Sequence, residues 1–454
     1  MSKTIAKDLT QGKVLTQLMT FAFPIVLANL LQIVYTMVDT VIVGRFIGTA
    51  GISAVSAASN IIMLCTNFSM GITSAGQVII SQFLGRNERD NVSRAIGTMF
   101  TVVVAVALGL TVIALPLTRA LLNLVNTPSE AMSMAIDYAA CSFAGMVFVF
   151  GYSAVGSMLR GLGDGKHPLI FIAIATVLNL VLDIIFVGPL KMGTFGAALA
   201  TVMGQGVSFL FSLAYLFKHK EAFGFDFKLQ SFKPDTAILK MFVKLGFPMA
   251  LQYVAVNIST IYVASCINSY GVVISAVTGI GDKLRMVIAI FTASIGTAAS
   301  TMVGQNFGAG KHDRVKKIYL ETLGVLFVMC AILGGAGIVF SRTVFGLFDT
   351  NAEVLAMASK FMVINCVTYM AFALYQPFSS LIHGMGYASF ALINGLIDGF
   401  VARIGLVWLL GTALGFGFWG VWWGAAISAY VGAIIGTIYF LTGRWRTYKP
   451  ITDK

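Results

Sequence analysis

The sequence predicts an all-α membrane protein, with twelve transmembrane helices in two six-helix lobes that repeat in parallel. Three observations predict it: long apolar runs free of charge, a lopsided placement of Lys and Arg, and short motifs that recur half a chain apart. Of 454 residues, 58% are hydrophobic and 11% charged, where a soluble chain carries about 25% charged residues. Residues 14–38 hold no charge at all, which is longer than the roughly 20 apolar residues that cross a bilayer as a helix.

Hydropathy, with charges and Gly/Pro as punctuation, sets the spans in order. The first six run near 14–42, 51–82, 95–118, 132–158, 168–190 and 194–217. The second six run near 240–268, 272–305, 318–341, 354–382, 388–411 and 417–442. The apolar stretch after MSKTIAKDLTQGKVL is of full spanning length, and no small-residue cleavage site follows closely, so helix 1 is expected to be retained. Cys65, Cys141, Cys266, Cys330 and Cys366 stand singly in apolar runs, which fits small core residues rather than a disulfide framework or a zinc site.

An even number of spans puts both termini on one side. Twenty-two of the 30 Lys and Arg fall on that side, five on the other, and Lys283, Arg285 and Arg403 lie within spans. Cytoplasmic loops carry the excess of Lys and Arg, so both termini are expected in the cytoplasm. The net charge of +12 is thus a topology signal, and no nucleic-acid partner is expected.

The repeat shows in four motif pairs. AFPIVLANL (22–30) answers GFPMALQYV (246–254), and SQFLGRNERDNVSRA (81–95) answers GQNFGAGKHDRVKKI (304–318). RGLGDGKHPLI (160–170) answers HGMGYASFALI (383–393), and TFGAALA (194–200) answers FWGVWWG (418–424). All lie 223 or 224 residues apart. They divide the chain into an N-lobe (1–217), a polar cytoplasmic linker (218–240) and a C-lobe (241–454). Two halves of six helices enter the membrane from the same side, so the repeat is parallel, and paired lobes with buried charges are the pattern of a transporter.

Charges inside a bilayer are expensive and usually functional. Four acids lie well within spans: Asp39, Asp183, Asp282 and Asp398. Counting 1.5 Å per residue from Arg45 and Lys191, Asp39 and Asp183 sit roughly 9–12 Å below the outer surface. Thr201 reaches a similar depth from the start of helix 6, and Asn179 lies one turn deeper than Asp183 on the same face. Two carboxylates, an amide and a hydroxyl form a hard oxygen set, able to hold a proton or a small cation such as Na⁺. The plainer alternative is that Asp183 only bonds a neighbouring helix.

Asp282 and Arg285, at i and i+3, can pair within one helix. Asp398 and Arg403, five residues apart, have poor α-helical geometry, so the partner of Asp398 is expected elsewhere. Both sites are open to structural pairing or to cavity lining. The four His fall at cytoplasmic loops, leaving no acid–base cluster in the spans for a membrane enzyme. GLGDGKH (161–167) has Arg160 where a P-loop has its first Gly, and His167 in place of Ser/Thr, so ATP use is excluded.

Taken together, the residues resemble the multidrug and toxic compound extrusion (MATE) transporters, in particular the bacterial branch related to the DNA-damage-inducible subfamily. The resemblance spans essentially the whole chain, carried by FPIVLANLLQIVYTMVDTVIVG, NLVLD, FGAALAT and GQNFGAGK. It implies secondary active transport, with an amphipathic, mostly cationic compound leaving as H⁺ or Na⁺ enters. It also implies a cation site at Asp39, Asn179, Asp183 and Thr201, and a hinge where helix 1 bends near Pro24. Another branch carries acids in helices 7 and 10 that bind Na⁺. Here Gln252 stands where the first would be and helix 10 has none, so coupling is expected to rest on the N-lobe.

The expected mechanism is alternating access, with cation binding competing with or coupled to substrate release. Candidate cavity residues are Tyr35, Gln252, Tyr253, Asp282, Arg285, Asp398 and Arg403, beside Asp39 and Asn179. Arg285 and Arg403 would equally serve an anionic or lipid-linked substrate, which makes a lipid flippase the rival reading. No cofactor is expected beyond the coupling ion, and the protein is expected to act as a monomer on small molecules.

Overall fold

The computed structural model describes residues 7–453, leaving out the side chain of Ala222. The helices follow the predicted order: α1 (Val14–Phe46), α2 (Thr49–Gly85), α3 (Arg89–Leu124), then α4, which runs Ser129–Ala144 and, after a 49° bend, Met146–Gly161. They continue as α5 (Lys166–Val187), α6 (Gly193–Lys218), α7 (Thr236–Asn268), α8 (Val272–Gly308), α9 (His312–Val339), α10 (Ala352–Gly384), α11 (Ala388–Ala413) and α12 (Gly417–Leu441). Among the described residues, eleven helices are long and apolar enough to cross a membrane, and α4 makes twelve if its bent pair is one span. Several reach beyond the apolar runs because their first or last turns are polar, as in the RDN start of α3.

The chain divides into two compact units. One comprises Phe23–Ala250 with Lys7 and Asp8; the other comprises Leu9–Ala22 with Leu251 onward. The divisions fall beside Pro24 in α1 and close to Pro248 in α7. In the first unit α2 packs on α3 and α4, and α5 runs along α6. In the second, α10 is central, packing on α8, α9 and α12.

Residues 218–240 belong to the first unit and are held on α3. The Thr101 hydroxyl donates to the Phe232 carbonyl (2.5 Å), and the Asp235 amide donates to Thr98 Oγ1 (3.1 Å). In the second unit the Leu9 amide donates to Gln305 Oε1 (2.9 Å), while Arg314 donates to the carbonyls of Gln11 and Gly12 at 2.7 Å each.

The sequence repeat is matched in backbone detail. At Gly161, in the last turn of α4, a Cβ would lie 2.9 Å from the Gln77 carbonyl oxygen of α2. At Gly384, 223 residues on, a Cβ would lie 2.5 Å from the Ser300 carbonyl oxygen of α8. Only Gly lets the two backbones approach so closely. The left-handed turns after them, Gly163 (φ 83°) and Gly386 (φ 72°), keep the same offset. One helix later it has grown to 224, with Lys191 and Gly193 answered by Gly415 and Gly417, all at positive φ. The extra residue is taken up in α11, which is π-helical over Ile397–Ile404 and Leu409–Ala413. A π-turn bonds residue i to i+5, one residue wider than an α-turn.

Candidate functional site

In the first unit, α1, α5 and α6 bring together the four oxygen-bearing residues expected from sequence. Asp39 is 7% exposed, Asn179 2% and Asp183 0%. The Tyr35 hydroxyl donates to Thr201 Oγ1 at 2.9 Å, and Asn179 Nδ2 points at the same oxygen from 3.5 Å. The Asp39 and Asp183 carboxyls lie close enough to interact directly, with Asn179 beside Asp183. Residues 35 and 39 share a face of α1 one turn apart, as 179 and 183 do on α5, so the local helical repeat aims all four side chains one way.

Both oxygens of Asp183 and Oδ1 of Asp39 are buried without a hydrogen-bond partner. Buried polar atoms in folded proteins are almost always bonded, so three orphaned carboxylate oxygens in one place need an explanation. They are acceptors only when ionised, and what an acceptor cluster takes is a proton or a cation. No group of three His, Cys, Asp or Glu that could hold a metal occurs among the described residues. With two carboxylates and only neutral oxygens besides, the set fits a hard cation of low charge rather than a soft metal.

Sequence reasoning missed Tyr138 on α4. It is 7% exposed and lies near Ser59, Asp39 and Asp183. An aromatic in an apolar span carries no signal of its own; only the packing of α4 against α2 and α6 places it there.

In the second unit a cavity of about 470 Å³ opens between α7, α8, α10, α11 and α12. Asp282, Arg285 and Arg403 line it; Gln252, Tyr253 and Asp398 do not. Gln252 is buried, bonded at 3.4 Å to both the Tyr375 hydroxyl and His383 Nε2. His383 therefore lies in the last turn of α10, turned inward, rather than in a loop.

Arg285 pairs with Asp282 at 2.9 Å, as the i, i+3 spacing allowed. The expectation that Asp398 finds its partner elsewhere is overturned: Arg403 Nη2 donates to Asp398 Oδ2 at 3.0 Å. The reason is the π-helical stretch that holds both, in which residues five apart stand over one another. Arg403 Nη1 also donates to Ser259 Oγ (3.1 Å) and Thr260 Oγ1 (3.4 Å) of α7. Among the described residues all five cysteines are free thiols.

Comparison with known proteins gives a consistent result. The MatE family model matches residues 24–185 and again 248–409, which is the internal repeat. The "Probable multidrug resistance protein YpnP" of Bacillus subtilis (strain 168) is 30% identical over 449 residues, covering 99% of this chain and 100% of that one. Crystal structures of MATE in the bent and in the straight conformation superpose with TM-scores of 0.90 and 0.89. Each is 22% identical and covers 98% of both chains.

Proposed function

The chain belongs to the MatE family of multidrug and toxic compound extrusion transporters, and from that premise we propose that it exports amphipathic organic compounds in exchange for H⁺ or Na⁺. It is a multi-pass membrane protein and a transporter, not an enzyme. The observation that carries the coupling is the set of three buried, unpartnered carboxylate oxygens on Asp39 and Asp183. Thr201 and Asn179 complete the oxygen shell, and Tyr35 and Tyr138 close it. Ion and cationic substrate compete for the same negative charge, so arrival of one favours departure of the other.

Alternating access requires an element that bends. Pro24 cannot donate to the Thr20 carbonyl, which leaves α1 its weakest point beside the division between the two units. That relatives are known in bent and straight conformations supports the same reading. Restoring the bond in Pro24→Ala should slow export about fivefold while substrate binding to the detergent-purified protein stays unchanged. Unchanged export would remove Pro24 from the mechanism.

In this reading the repeat lobes 1–217 and 241–454, joined by the linker 218–240, work as a monomer with both termini cytoplasmic. A second reading, movement of a lipid or lipid-linked precursor, is favoured by the two arginines in the C-terminal cavity.

Dye efflux from proteoliposomes holding only this protein tests the proposal, with an imposed Na⁺ gradient compared with an imposed pH gradient. Movement driven by one of them supports antiport and identifies the ion. No movement under either, with folded protein, overturns it, and transfer of labelled lipid in the same vesicles would then favour the second reading.

A further inference from the structure

The repeat offset of 224 gives each residue of the N-terminal oxygen site a counterpart in the other half. Tyr35 is answered by Ser259, Asp39 by Val263, Asn179 by Arg403, Asp183 by Val407 and Thr201 by Ala425; Val407 is buried and does not line the cavity described above. At the offset of 223 that the second and third motif pairs share, Tyr138 is answered by Phe361. Val263, Phe361, Arg403 and Ala425 all line the 470 Å³ cavity of the C-terminal unit. Ser259 lies behind the wall and accepts a hydrogen bond from Arg403 Nη1 at 3.1 Å. The cavity is thus the duplicate of the oxygen site, with its chemistry inverted. The Thr201 hydroxyl and both carboxylates are replaced by apolar side chains, and the amide by a guanidinium. The residue inserted in α11 is what brings Arg403, rather than Ala402, to the Asn179 position.

The guanidinium donors of the cavity are not all used. A guanidinium has five N–H donors. Arg403 uses three of them, on Asp398, Ser259 and Thr260, and Arg285 uses one, on Asp282. Asp398 stands behind Arg403 and does not line the cavity, so Asp282, already paired, is the one carboxylate among the lining residues. The walls therefore carry two fixed cations against one anion, with guanidinium donors to spare and apolar surface from Val263, Phe361 and Ala425 around them.

We infer that this cavity is a binding site for organic anions, taking an acidic head group on Arg403 and Arg285 and an apolar body against the remaining wall. The protein then has two sites of opposite polarity built on one duplicated framework, and its cargo extends from cationic to acidic amphiphiles. The inference rests on the reading of the chain as an exporter coupled through the N-terminal unit.

The test is binding without any gradient. The full chain, in phosphatidylcholine nanodiscs with empty discs as reference, is titrated calorimetrically with naphthalene-2-sulfonate and with a naphthyl-2-methyl trimethylammonium salt, which share a ring and differ in head-group charge. The sulfonate should bind about tenfold more tightly, and Arg285→Gln should weaken it about fivefold while leaving the ammonium compound unaffected. Arg403→Gln should do the same. Should it fail to fold because Asp398 is left alone, the uncharged pair Asp398→Asn/Arg403→Gln replaces it. Discs containing phosphatidylglycerol separate two sources of the anion: weaker sulfonate binding there means that a lipid head group competes for the cavity, and unchanged binding means that the site takes the soluble anion; either outcome supports an anion site. Equal or tighter binding of the ammonium compound, or sulfonate binding indifferent to both arginines, overturns the inference. Asp183→Asn keeps sulfonate binding even as coupling is lost, so failure of the coupling proposal is told apart from failure of this one.

Discussion

Asp183→Asn should lower the initial rate of gradient-driven export about 100-fold, without unfolding the protein. The side chain is 0% exposed and neither oxygen has a hydrogen-bond partner. Its negative charge is the only feature that asparagine lacks, since the two are nearly the same shape. An ion that pairs with that charge in one conformation and leaves it in another can transfer its gradient energy to the substrate; an amide offers no such difference.

The same substitution should leave the melting temperature in detergent unchanged or raise it. Burying an unpaired carboxylate costs folding free energy, whereas an amide at 183 can donate to the Asp39 carboxylate beside it. Lost transport with retained or increased stability is the signature of a group kept for function. If export and its ion dependence survive in both Asp183→Asn and Asp39→Asn, the coupling site lies elsewhere. If Asp183→Asn instead melts the protein, Asp183 is a structural bond between helices.

The largest effect on stability is expected from Gly384→Val. A Cβ at this position would lie 2.5 Å from the Ser300 carbonyl oxygen and 2.7 Å from the Val303 Cβ of α8. No real Cβ tolerates that approach to backbone, so α8 and α10 must separate along the contact that organises the C-terminal unit. Overpacking of this kind costs about 3 kcal/mol, and a β-branched residue adds further crowding in the last turn of a helix. Thermal unfolding followed by tryptophan fluorescence should show a drop of several degrees. Gly161→Val should behave alike but more mildly, the corresponding distance to the Gln77 carbonyl being 2.9 Å. A melting temperature unchanged in Gly384→Val would mean that the two helices slip past each other freely there.

Much of the site was legible because depth in a bilayer is a simple function of residue number. Taking Arg45 and Lys191 as the points where helices 1 and 5 reach the surface puts Asp39, Asp183 and Thr201 at one level, with Asn179 one turn deeper. Their meeting in one cluster then follows from helical periodicity, and they do meet. The pairing of Asp398 with Arg403 was not legible, since an α-helical count sets residues five apart on different faces. A signal existed: the repeat offset changes from 223 to 224 between the third and fourth motif pairs, which announces one extra residue in helix 11. It does not say whether that residue goes to a loop, a bulge or a π-turn, because that choice depends on what α7 and α12 offer as neighbours.

The sequence by itself determined that the chain crosses a membrane with twelve helices, that its two halves repeat, and where along each helix the charges lie. These follow from apolar run length, charge placement and the fixed rise of a helix, all of which are local. Only the tertiary structure decided which helix faces meet. It placed Tyr138 against the two carboxylates, turned His383 inward onto Gln252, and gathered Val263, Phe361, Arg403 and Ala425 around one cavity. The physical reason is that an apolar helix in lipid has no amphipathic stripe to declare its inner side, so its orientation is set by close packing with neighbours.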